Sequence, residues 1–355
     1  MAQPPTDAGM AEQAAPSLRS ITVLIPTYKR PGFLRSALES VLNQSRLDLI
    51  AEVVVSENSD DPRSEVVCRE FPQLPLKFIR QSPPVGVGHH FALLPTLAET
   101  PLVALLGDDD MWGRYHLEEA ARLLANEPAA VACVNMSVVV PNSGRGIVGQ
   151  HVTLPHCTVA PWADRFADRW IWSAKDVLLA SLLWTPFNMW AVVGRRHIMT
   201  DAMKVFTDPD QGTDSDRFML WRVAKAGPVV IGREVGLYYR VHTNNACAQL
   251  VSEAPDFHRR SWRRNVELML DEAAEMGIDA KAEWHKTFGD ADLPAMYANQ
   301  NPITVESRNT LLRRWGPVLQ LCGPDETRLG FLRAMAREVL PPFVLRGVRT
   351  FFGKN

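Results

Sequence analysis

Apolar residues gather in short unbroken runs early in the chain, with one-sided amphipathic stretches between them. Ile21-Thr22-Val23-Leu24-Ile25 is a β-branched run closed by Pro26, the pattern of a strand buried on both faces. Pro31 to Gln44 opens with a proline suited to a first helical turn and carries Phe33, Leu34, Ala37, Leu38, Val41 and Leu42 on one face. Glu52 to Val55 reads as a second strand, Arg63 to Phe71 as an amphipathic stretch, and Leu76 to Arg80 as a third strand. Leu102 to Leu106 reads as a fourth, after a helical connection. Strand alternating with helix predicts an α/β fold with a mostly parallel, doubly wound sheet. Past Pro141 the pattern loosens around Trp162, Trp170, Trp172, Trp184 and Trp190, rings that suit either core or a sugar-stacking surface. Asp214 to Ala226 then reads as a helix, and Val229 to Ile231 and Val235 to Val241 as strands. From about Leu250 the chain is helical and Arg-rich. The expected units are residues 1–20, 21–140, 141–249 and a helical C-terminal extension, 250–355.

Composition narrows the class without naming a function. With 355 residues, 46% hydrophobic and 22% charged, the chain can bury a sizeable core without staples. A net charge of −2 gives no basic footprint for nucleic acid. Cys68, Cys133, Cys157, Cys247 and Cys322 are odd in number, scattered and free of any C-x-x-C pair, which fits free thiols in a reducing compartment. Met1 to Ser20 lacks the basic start and apolar core of a signal peptide and reads as a disordered leader. Ala129 to Val140 is too short to cross a bilayer and contains Asn135, so the expected location is cytoplasmic.

In a doubly wound sheet, ligands bind at the carboxyl ends of the strands. Thr27 to Arg30, Ser56 to Asp60 and Asp108 to Asp110 stand there by construction. The triplet Asp108-Asp109-Asp110 follows Gly107, and three adjacent carboxylates repel unless something positive joins them. Either a hard divalent cation serves that purpose, or the side chains cap a local turn. In an extended segment Asp108 and Asp110 project together and Asp109 points elsewhere. Thr27 and Tyr28 offer a hydroxyl and a flat ring to a nucleoside, and Arg30 offers a fork for phosphate or a cap for the loop. His89 and His90 are neighbours that diverge in space, so they make a poor metal pair. Gly86 and Gly88 suit close backbone approach. His151, His156 and Cys157 match no zinc cage. Asp214 and Asp216 open a helix, where acids also serve dipole and cap.

Val23 to Arg30, Val53 to Ser59, Leu105 to Trp112, Asp214 to Gly227 and Tyr238 to His242, taken in that order, resemble the inverting nucleotide-sugar glycosyltransferases of family two over about Ile21 to Asn245. The resemblance implies a GT-A fold, in which residues 21–140 bind the nucleotide sugar and 141–249 bind the acceptor and carry catalysis. It also implies a nucleotide-diphosphate sugar donor, UDP-linked by preference, a Mn²⁺ or Mg²⁺ ion, and a saccharide or lipid-linked saccharide acceptor in cell-surface polysaccharide or glycolipid synthesis. Carried onto this chain, Pro26, Thr27, Tyr28, Arg30, Gly86, Asp108 and Asp109 line the donor site, and Glu57 accepts hydrogen bonds from the base edge. Asp110 binds the metal, with His242 as a further ligand of the metal or of the diphosphate. Asp216 is the catalytic base, with Asp214 as its substitute. Glu57 stands where the family usually has Asp, and its extra methylene is expected to move the carboxylate outward. Ser215 leaves the family's Glu-Asp pair incomplete, which keeps a non-catalytic nucleotide-sugar-binding relative open. A sugar-phosphate nucleotidyltransferase is the other alternative, although the turn after the first strand has no glycine before Gly32. Trp112 either walls the sugar site or anchors its loop.

The end of the chain carries its own signal. Arg328, Arg333, Arg337, Arg346, Arg349 and Lys354 face the single acid Glu338, with Phe343, Val344, Leu345, Val348, Phe351 and Phe352 interleaved. That mixture suits either a peripheral contact with an anionic membrane or a packed terminal helix.

Overall fold

The computed structural model describes residues 19–141, 170–183, 187–209, 215–242 and 255–288. Residues 1–18 of the expected leader, Trp162, Trp184, His151, His156, Cys157, Asp214 and the basic tail lie outside them, whereas Arg19 and Ser20 are described, Arg19 N donating to Asp48 O at 2.8 Å and Ser20 being buried. One nine-stranded sheet runs through the described chain: β1 (Ile21–Thr27), β2 (Ile50–Glu57), β3 (Leu76–Arg80), β4 (Leu102–Leu105), β5 (Met111–Trp112), β6 (Ala132–Pro141), β7 (Trp170–Trp172), β8 (Val192–Arg195) and β9 (Val229–Val241). The strand order is β3-β2-β1-β4-β8-β6-β9-β5, with β7 also paired to β9. β8, β5 and β7 run against the other six, so the sheet is mostly parallel.

The described helices are α1 (Pro31–Leu42), α2 (Arg63–Arg69), α3 (Val87–Leu93), α4 (His116–Asn126), α5 (Ala174–Leu183), α6 (Arg196–Ala202), α7 (Ser215–Ala226), α8 (Pro255–Glu275) and α9 (Ala280–Phe288). α1 buries Leu34, Ala37, Leu38 and Val41 through the expected stripe, but Phe33 stays outside the core cluster. α7 buries Phe218, Met219, Leu220, Trp221, Val223 and Ala224 over much of its circumference. Its outer side is held by α8, where Glu272 accepts from Trp221 Nε1 and Lys225 Nζ, each at 2.9 Å.

Pro26 does not end β1, contrary to expectation. β1 pairs with β4 only as far as Leu24, and Pro26 and Thr27 continue on the β2 side alone. The missing N–H of Pro26 falls beyond the last pairing with β4, so no ladder bond is lost. The two strand ends part at this point, and the gap between them is where the carboxylate triplet sits.

Candidate functional site

The segments expected at the strand ends do meet. Gly107 to Asp110 forms a tight turn, with Asp110 N donating to Gly107 O at 3.1 Å. The triplet is therefore not extended, and the expected alternation of Asp108 and Asp110 against Asp109 fails. Thr27 Oγ1 donates to Asp108 Oδ2 at 2.7 Å, closing the gap between β1 and β4. Arg30 Nη1 lies 2.7 Å from Asp109 Oδ2 and 3.4 Å from Asp108 Oδ1, so it pairs with carboxylates instead of capping its loop. His242 Nε2, just past β9, meets the same Asp109 Oδ2 at 3.1 Å. Asp110 Oδ1 accepts from Arg240 N at 2.9 Å, and its buried Oδ2 has no hydrogen-bond partner among the described residues.

Burial sets the electrostatics. Desolvation, with the neighbouring charge of Asp109, pushes the Asp108 carboxyl up to about 7 against the pull of Arg30, the Thr27 hydroxyl and the Tyr28 amide. The same two causes hold Asp110 well above the usual carboxylate range, opposed by the Arg240 amide and guanidinium. Burial also lowers Arg240 from its ordinary value, while the three carboxylates resist that shift. Three carboxyl groups thus crowd the guanidinium groups of Arg30 and Arg240, and burial answers by favouring the protonated forms of Asp108 and Asp110.

The donor set fits a hard divalent cation: the oxygens belong to carboxyl groups, one of them is buried and unpaired, and the turn keeps space beside it. A Cβ on Gly107 would stand 3.2 Å from both Asp109 Oδ1 and Asp110 Oδ2, and 3.3 Å from Trp190 Nε1. Among the described residues, no group of three or more His, Cys, Asp or Glu is already arranged as a cage. Oxygens beyond this triplet are needed to complete coordination, as a diphosphate would provide.

Glu57 differs from expectation. Its carboxylate is turned inward and fully buried, with Oε1 accepting from Ser59 Oγ at 2.7 Å and Lys29 N at 3.3 Å, and Oε2 from Ser64 Oγ at 2.5 Å. The extra methylene lets the side chain reach the serines beneath the loop. Lys29, held at φ 56°, is a rare left-handed non-glycine residue in the turn that presents Tyr28, a residue 55% exposed. Asn58 is more than a turn former: its amide exchanges two hydrogen bonds with Val85, at 2.8 and 2.9 Å, and ties down the loop leading to Gly86.

His90 is buried against Ser56 Oγ at 2.8 Å, while His89 is exposed, so they form no pair. Gly86 stands exposed at the start of α3 with room for a side chain. Gly88 has none, because a Cβ would come within 2.0 Å of Phe206 O. Trp112 anchors its loop, donating from Nε1 to Trp190 O at 3.0 Å and packing on His116. Trp172 is core, tilted on Phe187, whereas Trp190 packs edge-on against Phe91 beside the triplet. Asp216 lies partly exposed in the first turn of α7, next to buried Ser215, with Oδ1 accepting from Arg217 N at 2.8 Å.

Sequence reasoning gave no role to Arg240 and counted Phe33 as core. The Arg240 guanidinium lies 5.0 Å over the Phe33 ring, and His242 stacks on that ring at 4.5 Å between centroids. The alternation of a strand, which places residues i and i+2 on one face, was the available signal for pairing Arg240 with His242.

Residues 22–171 match the sequence model described as glycosyl transferase family 2. No curated protein sequence matches the chain. Among solved structures, S. aureus TarS 1-349 is 15% identical with a TM-score of 0.53, over 94% of this chain and 91% of that one. The same fragment in complex with UDP is 14% identical with a TM-score of 0.54, again over 94% and 91%. A longer S. aureus TarS chain, also 15% identical with a TM-score of 0.53, is covered over 53% of its length by 93% of this one. These likenesses establish a GT-A fold.

Proposed function

From a chain whose residues 22–171 match the glycosyl transferase family 2 model and whose described residues carry a GT-A sheet, we propose an inverting, metal-dependent glycosyltransferase that moves a sugar from a nucleotide diphosphate, UDP by preference, to an acceptor hydroxyl. The observation that carries the reading is the buried, unpaired Oδ2 of Asp110 in a turn of three carboxylates at the mouth of the parallel strands. The preference for UDP is supported by the UDP complex of the structurally similar TarS fragment.

Thr27, Tyr28 and the Val85–Gly86 loop would receive the nucleoside, with the exposed ring of Tyr28 as a stacking face. Asp108 would take a ribose or sugar hydroxyl. Arg30, released in part from Asp108 and Asp109, would meet phosphate. Glu57 would read the base only by giving up a serine; otherwise it holds the turn. Asp110, with His242, would hold a Mn²⁺ or Mg²⁺ ion, whose chemistry there is to neutralise the charge growing on the diphosphate. Asp216 would accept the proton of the acceptor hydroxyl as its oxygen attacks the anomeric carbon opposite the leaving group.

The test is a sugar-transfer assay against a panel of UDP-, GDP- and dTDP-sugars with and without Mn²⁺. Asp216→Asn should lower kcat about a hundredfold and leave donor affinity near wild type. Normal turnover by that variant sinks the base assignment. For the acceptor, we infer a lipid-linked or cell-surface saccharide met at an anionic membrane face through the basic tail. No described helix is long and apolar enough to cross a membrane. Cosedimentation with anionic liposomes should fall in high salt and on truncation after Leu340. Equal sedimentation of full-length and truncated chains rejects this role for the tail.

A further inference from the structure

We propose that Phe33 is a positioning residue, an aromatic clip that fixes the β9 residues serving Asp109 and Asp110. The inference rests on the functional reading above, although the clip itself is a feature of the ligand-free protein.

The apolar stripe of α1 places Phe33 beside Leu34, and a helix that docks on a sheet normally commits such a ring to the core. Here Leu34 is fully buried, but Phe33 is only partly buried and takes no part in the core cluster. Its ring faces two side chains of another element instead. His242 stacks on it at 4.5 Å with 26° between planes, and the Arg240 guanidinium lies 5.0 Å over it. The two are spaced i and i+2 at the end of β9, so one ring can address both.

Each partner also touches the triplet. His242 Nε2 meets Asp109 Oδ2 at 3.1 Å, and Arg240 N donates to Asp110 Oδ1 at 2.9 Å. Asp109 Oδ2 in turn accepts from Arg30 at 2.7 Å, and Arg30 immediately precedes the helix that carries Phe33. The contacts close a ring: Arg30, Asp109, His242, Phe33, and back along the first turn of α1. A closed ring joins the end of β1, the turn after β4 and the end of β9 without any ligand. It aligns the donor-site loop with the carboxylate whose second oxygen is unpaired. An aliphatic side chain of similar bulk would fill the space but offer neither a stacking face to imidazole nor a π face to guanidinium.

The experiment compares wild type with Phe33→Leu and Phe33→Tyr. In the ligand-free protein, the imidazole carbon-bound protons of His242, assigned in NMR spectra through His242→Gln, should be shifted upfield by the stacked ring. That shift should be lost in Phe33→Leu and restored in Phe33→Tyr. Mn²⁺-dependent binding of UDP should weaken about tenfold in Phe33→Leu, between the scales of an exposed and a desolvated cation–π contact. UDP binding without metal should stay near wild type, and the thermal midpoint should fall only slightly, as the loss of one such contact requires. An unchanged His242 shift in Phe33→Leu overturns the clip, whatever the protein binds. Equal losses with and without Mn²⁺ also overturn it, leaving Phe33 as ordinary packing. A wild-type protein that shows the His242 shift but no Mn²⁺-dependent UDP binding sinks the proposed function and leaves the clip standing.

Discussion

At the scale of single residues, the site is governed by which buried charges have partners. Asp110 is the sharpest case, because its unpaired oxygen sits in a pocket where desolvation alone favours protonation. Asp110→Asn removes the charge while keeping the Arg240 N–H acceptor, so it should abolish stabilisation by Mn²⁺ in thermal shift without lowering the metal-free midpoint. Retained stabilisation by Mn²⁺ would remove Asp110 from the metal site. Glu57 makes the opposite case, since both its oxygens are already used. Glu57→Ala strands the buried Ser59 and Ser64 hydroxyls, each worth roughly 1–3 kcal/mol when left without a partner. A loss of about 2 kcal/mol or more in urea unfolding is expected, and a loss below about 0.5 kcal/mol would show that these bonds contribute little. The meeting of Thr27, Arg30 and the triplet was legible from sequence because a doubly wound sheet gathers the carboxyl ends of its strands, whereas His242 came only through the family resemblance. The inward turn of Glu57 was not legible, because it depends on Ser64, seven residues away on another element.

At the scale of elements, legibility followed burial. β1, β2 and β4 were readable because parallel strands covered on both faces are continuous apolar runs, and α1 because its stripe has a helical period; β3, also read as a strand, is a partly exposed edge strand. β9 was read as two strands broken at Gly232, Arg233 and Glu234, yet it runs unbroken from Val229 to Val241. The break read in the sequence survives as a bulge in β9 itself: Gly232, Arg233 and Glu234 stand opposite Asn135 alone, between the pairs Ile231–Val134 and Val235–Met136, and the register shifts again before Ser137. The glycines record the close fit: a Cβ on Gly236 would stand 2.4 Å from Asn135 Cβ and 2.5 Å from His116 Nδ1. Gly236→Ala should therefore cost about 1–3 kcal/mol through overpacking. Because β9 leads to Arg240 and His242, it should also weaken Mn²⁺-dependent UDP binding. A variant with wild-type stability in urea would mean that β6 and α4 yield freely. Of the elements that were missed, β5, β7 and β8 are two to four residues long, too short for any period to register, but α4, β6 and α5 are ten or eleven residues long, and β6 was weighed only as a membrane span.

At the scale of the whole molecule, sites far apart in sequence act on one folding equilibrium, and their proton uptake opposes. Asp108 is raised to about 7 and Asp110 is raised as well, so between about pH 4 and 7 the folded state holds protons that the unfolded chain has released. Their contribution to stability therefore falls as pH rises through that window. His90 is lowered by burial to about 4 and His116 to about 3, so below about pH 6.5 the unfolded chain binds protons that the folded state refuses. Their contribution falls as pH drops. Two carboxyls and two imidazoles of opposite sign nearly cancel between about pH 4.5 and 6.5, and the metal-free protein should show a flat thermal midpoint there. A cation held by Asp110 keeps the carboxylates ionised in the folded state and removes their half of the balance. With saturating Mn²⁺ and UDP, the midpoint should then drop on going from pH 6.5 to 5, following the histidines and the loss of bound metal to protons. His116→Asn should lessen that drop even if the variant is less stable throughout. A midpoint with the same pH slope in the presence and absence of Mn²⁺ would mean that the triplet titrates independently of any ion, and the carboxylate turn would revert to a structural device.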